Sequence, residues 1–295
     1  MNNENFIDEY IKKLNVETPS KNEFLRLSRI LPINPEDDEN FIINYERGML
    51  LYALIAKYRP KNILEIGTAS GYATLCMAWA MEDHNIDGKI FTIDPKSHQE
   101  VITRKLKIDE EIKTMSLSRR ELWKKFVSSE WIKKIEVLTG YSYDVLDKEN
   151  FPKIEFCYVD GSHVYTAVKQ DFFRILKIIS QNFHILFDDY VPNENGGVTK
   201  FIDEEISNVF ETIFIKTNTK KQRIVSKTNK NDELVMCLID SYSLKKSLWE
   251  VFDKKYVDSF LNKNKFLQKR IKIRHKINKK IPFLNKIKFQ WWKKE

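Results

Sequence analysis

Three carboxylates and one imidazole carry the strongest chemical signal in this 295-residue sequence. Asp160 follows one short apolar run, Ile154 to Val159, and Asp188 and Asp189 follow the next, Phe183 to Phe187. If both runs are parallel strands, the three carboxylates converge at one edge of a sheet. Carboxylates so close repel one another, and a hard divalent cation relieves the repulsion. Mg²⁺ suits such a site because it takes a few carboxylates and keeps positions open for substrate oxygens. The competing use of Asp160 and Asp188 is helix capping. His163 stands three residues after Asp160 and titrates near neutral pH, so it can accept a proton from a hydroxyl held beside the acids. Its acidic company distinguishes it from His84, His98 and His184, for which surface or packing roles suffice.

Glycine placement is the second signal. The chain has only 8 glycines, and Gly67, Gly71, Gly140 and Gly161 all follow expected strands. Backbone freedom is needed where a chain turns tightly or approaches a ligand closely. Ile63 to Tyr72 reads as a strand, a glycine-containing turn and a helix, which aims backbone N–H groups at a carboxylate or phosphate. A dinucleotide fingerprint would place its second and third glycines at Ala69 and Tyr72, so two of three positions fail and an NAD-dependent oxidoreductase is disfavoured. Asp94 ends the next strand, where a carboxylate can accept both hydroxyls of a ribose; alone it would serve as a helix cap.

The elements that must position these residues follow from hydrophobic periodicity. Apolar runs at Asn62 to Ile66, Lys89 to Ile93, Lys134 to Leu138, Ile154 to Val159 and Phe183 to Phe187 alternate with helical stretches such as Tyr72 to Met81 and Val164 to Ile179. This is the pattern of an α/β domain whose parallel sheet is covered on both faces. Later runs at Phe210 to Lys216, Arg223 to Ser226 and Leu234 to Ile239 read as a hairpin closing one edge. The expected fold is a Rossmann-like, mostly parallel sheet of about seven strands with an antiparallel edge hairpin and helices on both faces. Residues 1–43 read as a helical N-terminal extension, 44–240 as the domain and 241–295 as a basic helical tail. The charged span from Val101 to Glu130 reads as a helical insertion over one sheet end.

Composition narrows the class. With 42% hydrophobic and 31% charged residues the chain belongs among soluble globular proteins. No apolar run approaches the roughly 18 to 20 residues of a membrane-spanning helix. The N-terminus lacks an apolar signal region, so the cytoplasm is the expected compartment. Cys76, Cys157 and Cys237 have no C-x-x-C spacing and read as buried small hydrophobes. The net charge of +8 is unevenly spread. From Ser241 to Glu295 there are 17 Lys or Arg against 4 Asp or Glu, leaving the rest mildly acidic.

Glu65 to Tyr72, Asp94, Leu138 to Ser142 and Val159 to His163 together resemble the class I S-adenosylmethionine-dependent methyltransferases. With Phe187 to Tyr190 added, the resemblance narrows to the branch of catechol-type and macrocin-type sugar O-methyltransferases, and it covers roughly Asn44 to Ile239. It implies cofactor contacts at Glu65, Gly67, Thr68, Ala69, Ser70 and Gly71 around the methionine part, Asp94 at the ribose, Tyr141 and Ser142 beside the adenine, and Asp160. It further implies Asp160, Asp188 and Asp189 as ligands of Mg²⁺ or a similar cation, with His163 and Asp160 catalytic and His163 as base. Catechol-type members usually carry Asp-Asn at Asp188-Asp189 and a lysine at His163, whereas sugar-modifying relatives can carry the histidine. The acceptor implied is a hydroxyl of a sugar, glycan or glycosylated small molecule. A tRNA hydroxyuridine is the alternative, and a noncatalytic binding protein stands outside both.

Ile273, Ile277, Ile281, Leu284, Ile287 and Trp291 form an apolar stripe at helical spacing among basic residues, ending in Trp291-Trp292-Lys293-Lys294. An anionic membrane surface at the cytoplasmic face suits that combination. Packing onto the body or within a homo-oligomer competes closely with it, and nucleic acid is the third reading.

Overall fold

The structure, a computed structural model, describes residues 4–31, 45–192, 195–218, 221–223, 230–232 and 235–265. Met1–Ser247 and Leu248–Glu295 are two compact units. The first opens with β1 (Glu4–Phe6), α1 (Ile7–Leu14), α2 (Lys21–Ile30), α3 (Tyr45–Tyr58), β2 (Asn62–Ile66), α4 (Tyr72–Asp83) and β3 (Lys89–Asp94). Next come β4 (Val101–Ile108), β5 (Glu111–Ser118), α5 (Arg119–Phe126), α6 (Ser129–Lys133), β6 (Ile135–Thr139), α7 (Ser142–Lys148), β7 (Ile154–Val159) and α8 (Tyr165–Ile178). It continues with β8 (Ile179–Tyr190), α9 (Gly197–Phe201), a π-helical turn (Ile202–Ile206), β9 (Ile213–Lys216), β10 (Lys221–Arg223), β11 (Lys230–Asp232) and β12 (Val235–Asp240).

Eight strands form one sheet in the order β1-β9-β12-β8-β7-β2-β3-β6. From β8 to β6 the neighbours are parallel. Strand β12 lies antiparallel between β8 and β9, and β1 joins β9 in parallel. The fold is thus the mostly parallel Rossmann-like sheet the apolar runs imply. Its eighth strand, β1, spans three residues and carries no alternation long enough to read from sequence. The edge hairpin is β9 with β12, while β10 pairs only with β11. Of the expected strand at residues 223–226, only Arg223 lies within the described residues.

Register decides where the chemistry gathers. Ile66 pairs with Ile93 and with Val159, and Val159 pairs with Phe187. The next residue on each strand is Gly67, Asp94, Asp160 and Asp188, so all four stand at the same edge, the carboxyl edge where open α/β sheets bind ligands.

One expectation about the surroundings differs from the structure. Residues 101–118 form an antiparallel hairpin, β4 with β5, and helices begin only at Arg119. Its turn residues Asp109 and Glu110 both have positive φ, 49° and 66°, as a two-residue hairpin turn requires. The even-numbered positions of β4 point inward, but one of them is Arg104, and that buried charge disguises the period-two pattern. The N-terminal helices, expected as a helical extension of the domain, pack into its core. Ile7, Tyr10, Ile11 and Leu14 of α1 and Phe24 and Leu27 of α2 belong to one cluster with α3 and α4. Residues 32–44, where the sequence places the boundary, lie outside the described residues.

In the second unit, α10 (Leu248–Val251) precedes a helix over residues 254–265, whose first turn is capped by Asp253 Oδ1 accepting from the Lys255 and Tyr256 amides at 2.7 and 3.0 Å. The apolar stripe from Ile273 to Trp291 lies outside the described residues. All three cysteines are free and buried. Among the described residues no helix is long and apolar enough to cross a membrane.

Candidate active site

Between β2 and α4 the chain folds into a turn clamped from two sides. Gly67 has φ +100°, and a side chain there would run into the backbone carbonyl of Asp160 on the neighbouring strand. Gly71 has φ +95°, and a side chain there would collide with the Trp123 indole, whose Nε1 donates to the Ser70 carbonyl at 2.9 Å. Both positions therefore need glycine, for approach as well as for torsion. Ala69 sits in the left-handed region at φ 47°, and its N–H donates to Asp94 Oδ2 at 2.9 Å. Asp94 Oδ1 accepts from the Lys96 amide at 2.7 Å and lies 3.4 Å from Arg119 Nη2.

A cavity of about 420 Å³ opens at this edge. Of the residues assigned from sequence to a cofactor, Gly67, Ala69, Ser70 and Asp94 line one part of it, and Tyr141, Ser142 and Asp160 another. Glu65, Thr68 and Gly71 lie behind the lining. Glu65 is wholly buried beneath the turn, accepts hydrogen bonds from the Thr74 and Thr92 hydroxyls, and has its pKa pushed up to about 7 by burial. The Thr68 and Thr92 hydroxyls share a hydrogen bond that ties the turn to β3. Ser142 donates to Asp171 at 2.6 Å, and burial raises Asp171 to about 6 despite that bond.

The acidic cluster lies beside this cavity, joined to it by Asp160. Arg47, from α3, reaches into the cluster: Nε is 2.6 Å from Asp188, Nη1 3.4 Å from Asp160 and Nη2 3.9 Å from Asp189. The Tyr158 hydroxyl donates to Asp188 and, at 3.3 Å, to Asp160. Asp188 also accepts from the Asp189 amide at 2.7 Å, so this acid is committed to holding Arg47 and the strand end. The half-exposed ring of His163 instead completes the open side, with Nε2 at 3.0 Å from Asp189 and 3.9 Å from Asp160. One donor atom from each of Asp160, His163 and Asp189 falls within 4.8 Å of the others. Burial, then the charge of Asp188, holds the Asp160 carboxyl well above its usual range; the hydrogen bond to Asp189 raises His163. Two carboxylate oxygens plus one imidazole nitrogen make a donor set that fits a divalent cation of the Mg²⁺ or Mn²⁺ kind.

Three arginines at the site stand outside the residues that the sequence singles out. Arg47 has a signal, a charged Glu-Arg pair inside an otherwise apolar helix. Arg104 and Arg119, both at least 95% buried and lining the cavity, have none, because their segment reads as helical and folds as a hairpin leading into a helix.

Residues 64–190 match a family described as a methyltransferase domain. An uncharacterised protein, y4gI, of Sinorhizobium fredii is 25% identical over 149 residues, which are 50% of this chain and 15% of that protein. The chain thus matches only a small part of that relative's length. Among solved structures, an O-methyltransferase from Bacillus cereus in complex with SAH aligns over 79% of this chain and 96% of its own, at 17% identity and a TM-score of 0.48. The O-methyltransferase TomG of Streptomyces achromogenes, in complex with SAM, aligns over 79% and 95%, at 17% identity and 0.49.

Proposed function

We propose that this chain is a class I S-adenosylmethionine-dependent methyltransferase and that it methylates a hydroxyl of a sugar, glycan or glycosylated small molecule with help from a divalent cation. The observation that supports the reading most is the shared strand-end edge, which sets a ribose-binding acid, a glycine-clamped turn and an acid–imidazole cluster around one cavity.

In this reading Asp94 accepts the ribose hydroxyls, the Gly67 to Ser70 backbone faces the methionine part, and Tyr141 and Ser142 flank the adenine. Asp160 and Asp189 would hold the cation, and His163, beside it and not a ligand in this reading, is left free to act as base; Asp188, which the resemblance counts as a third ligand, instead pairs with Arg47. When bound, S-adenosylmethionine supplies an electrophilic methyl group and the cation a Lewis acid that lowers the acceptor hydroxyl's pKa. Asp160, at the junction of cavity and cluster, orients the acceptor hydroxyl toward the cavity. His163 takes the hydroxyl proton on Nε2 as the oxygen attacks, and Asp189 steadies the resulting imidazolium. Asp188 and Tyr158 anchor Arg47, whose charge keeps the acids together before any cation arrives.

Methyl transfer to a panel of sugars and to bulk tRNA, with and without chelator, tests the proposal. Transfer to a sugar hydroxyl that is lost with chelator and restored by Mg²⁺ or Mn²⁺ is expected. Transfer to tRNA alone would replace the acceptor, and micromolar NAD binding with none for S-adenosylmethionine would overturn the whole reading. Arg47 supports a second version, in which its guanidinium alone supplies the positive charge; activity that resists chelator but is lost in Arg47→Lys favours it.

For the basic segment from Ser241 we propose attachment to an anionic membrane. Flotation of the full chain with anionic liposomes at physiological salt is expected. Failure to float, with loss of tRNA binding or of an oligomer on truncation near Ser241, would assign the tail elsewhere.

A further inference from the structure

The cavity holds a pair of buried cations that the proposed cofactor leaves unused. Arg104, on the inward face of β4, has its Nη1 pinned to the Ile102 and Leu117 carbonyls at 3.3 and 2.8 Å, while its Nε is buried without a partner. Arg119, at the start of α5, contacts Asp94 through Nη2, and its Nε and Nη1 are likewise buried and without a hydrogen-bond partner among the described residues. Both side chains line the cavity and are 4% and 3% exposed. A buried guanidinium with unmet N–H groups is costly, and two that line the same cavity are costlier, even with the Asp94 and Glu100 carboxylates in its wall. The neighbouring His98 reports the same excess of positive charge: burial, then Arg119 and Arg120, depress it to about 4, so it stays neutral, and its Nδ1 also lacks a partner. The ribose and adenine of S-adenosylmethionine carry no negative charge to answer this pair.

We propose that Arg104 and Arg119 form a phosphate-binding subsite beside Asp94, which takes a phosphate or phosphate monoester at the nucleoside end of the cavity. Guanidinium N–H groups fit phosphate oxygens bidentately, and an arginine beside a ribose-binding acid is how nucleoside sites accommodate a phosphate on the ribose. The site's place at the nucleoside end rests on the cofactor reading above; the arginine pair itself does not. A ligand seated there shares the cavity with the cofactor, so a nucleotide phosphorylated on its ribose would compete with it.

Calorimetric titration of the full chain separates the sources of phosphate. The probes are inorganic phosphate, adenosine, adenosine 2′-monophosphate and adenosine 3′-monophosphate, with S-adenosylhomocysteine titrated in parallel. At least one ribose phosphate is expected to bind tenfold or more tightly than adenosine, and Arg104→Gln is expected to bring that ratio close to one. Saturable binding of inorganic phosphate, detected by ³¹P line broadening and lost in the variant, would support the subsite as a site for free phosphate. Should Arg104→Gln not fold, inorganic sulfate titrated against the ribose phosphate in the unaltered protein replaces it: displacement supports the subsite, and none counts against it. Equal affinity for adenosine and its phosphates together with no phosphate binding, while S-adenosylhomocysteine binds, would overturn the subsite and leave the cofactor reading standing. Arginine-dependent phosphate binding without S-adenosylhomocysteine binding would do the reverse, and binding of neither would remove both.

Discussion

The two ends of the cleft are built from opposite electrostatic excesses. At the β7 and β8 ends three carboxylates surround one guanidinium, Arg47, with an imidazole at the open side. Near the end of β3 two buried guanidinium groups, Arg104 and Arg119, line the cavity with the carboxylates of Asp94 and Glu100. In the readings proposed above, the first end takes a cation and the second an anion. The difference teaches that burial alone does not mark a binding site here; the sign of the unmet charge does.

The largest expected effect breaks that contrast at the acidic end. Arg47→Met leaves three crowded carboxylates without their counter-ion, and loss of one partner from a buried ion pair costs about 3–5 kcal/mol. Urea denaturation reads the loss, and millimolar Mg²⁺ or Mn²⁺ is expected to recover part of it. Arg104→Met gives the comparison at the other end. It removes one of two like charges as well as two hydrogen bonds to carbonyls, so a loss of only about 1 kcal/mol is expected. Equal losses would show that the two ends are not electrostatic opposites.

A substitution in the acidic cluster sharpens the functional side of the contrast. Asp189 has φ 55°, a conformation asparagine tolerates, so Asp189→Asn removes the charge while sparing the backbone. Losing the group that steadies His163 and would bind the cation is expected to lower kcat about 100-fold. Affinity for S-adenosylhomocysteine should change little, since Asp189 does not line the cavity. A fall in that affinity with kcat preserved would move Asp189 to the cofactor side.

The acidic end is far more legible in the sequence than the basic one. Asp160, Asp188 and Asp189 each follow a short apolar run, and parallel register carries such residues to one edge without further information. The ion pair of Asp188 with Arg47 is not legible, because Arg47 comes from a helix far away in sequence. The N-terminal helices are legible as helices, yet their docking is not, since periodicity tells which face is buried and not against what. Arg104 and Arg119 are hidden for a different reason. Their positions depend on the hairpin, and the inward charge of Arg104 erases the alternation that would reveal it.

Beneath the turn, Glu65 tests whether the basic end is protected from a buried acid. In the unfolded chain it titrates near its ordinary 4.5, and in the folded protein near 7. Below pH 4.5 both states are protonated and the shift has no effect. Between 4.5 and 7 the unfolded state ionises first, so stability falls as pH rises, and above 7 the cost is complete. Glu65→Gln lacks this cost. Relative to the unaltered protein it is expected to gain about 2 kcal/mol between pH 5 and pH 8 in denaturation experiments. A difference that does not vary with pH would mean that Glu65 is ionised when buried, held so by the charge of Arg119.

The smallest effect concerns the turn itself, at the point where the basic end meets the cofactor cavity. Ala69 holds a left-handed conformation, φ 47°, in order to aim its N–H at Asp94. That conformation costs a residue with a side chain about 1–2 kcal/mol, and glycine adopts it freely. Glycine also enlarges the unfolded ensemble, which costs about 0.4–1 kcal/mol. Ala69→Gly should therefore gain about 0.5 kcal/mol, a rise of roughly 1–2 °C in Tm for a protein of this size. The opposite sign is expected for affinity. Alanine restricts the turn to the conformation that fixes Asp94, and glycine loosens it, so S-adenosylhomocysteine should bind a few-fold more weakly to the variant. A variant that gained in both melting and binding would show that the strain at Ala69 serves neither end of the cleft; one that melts higher and binds worse assigns the strain to holding Asp94 in place beside Arg119.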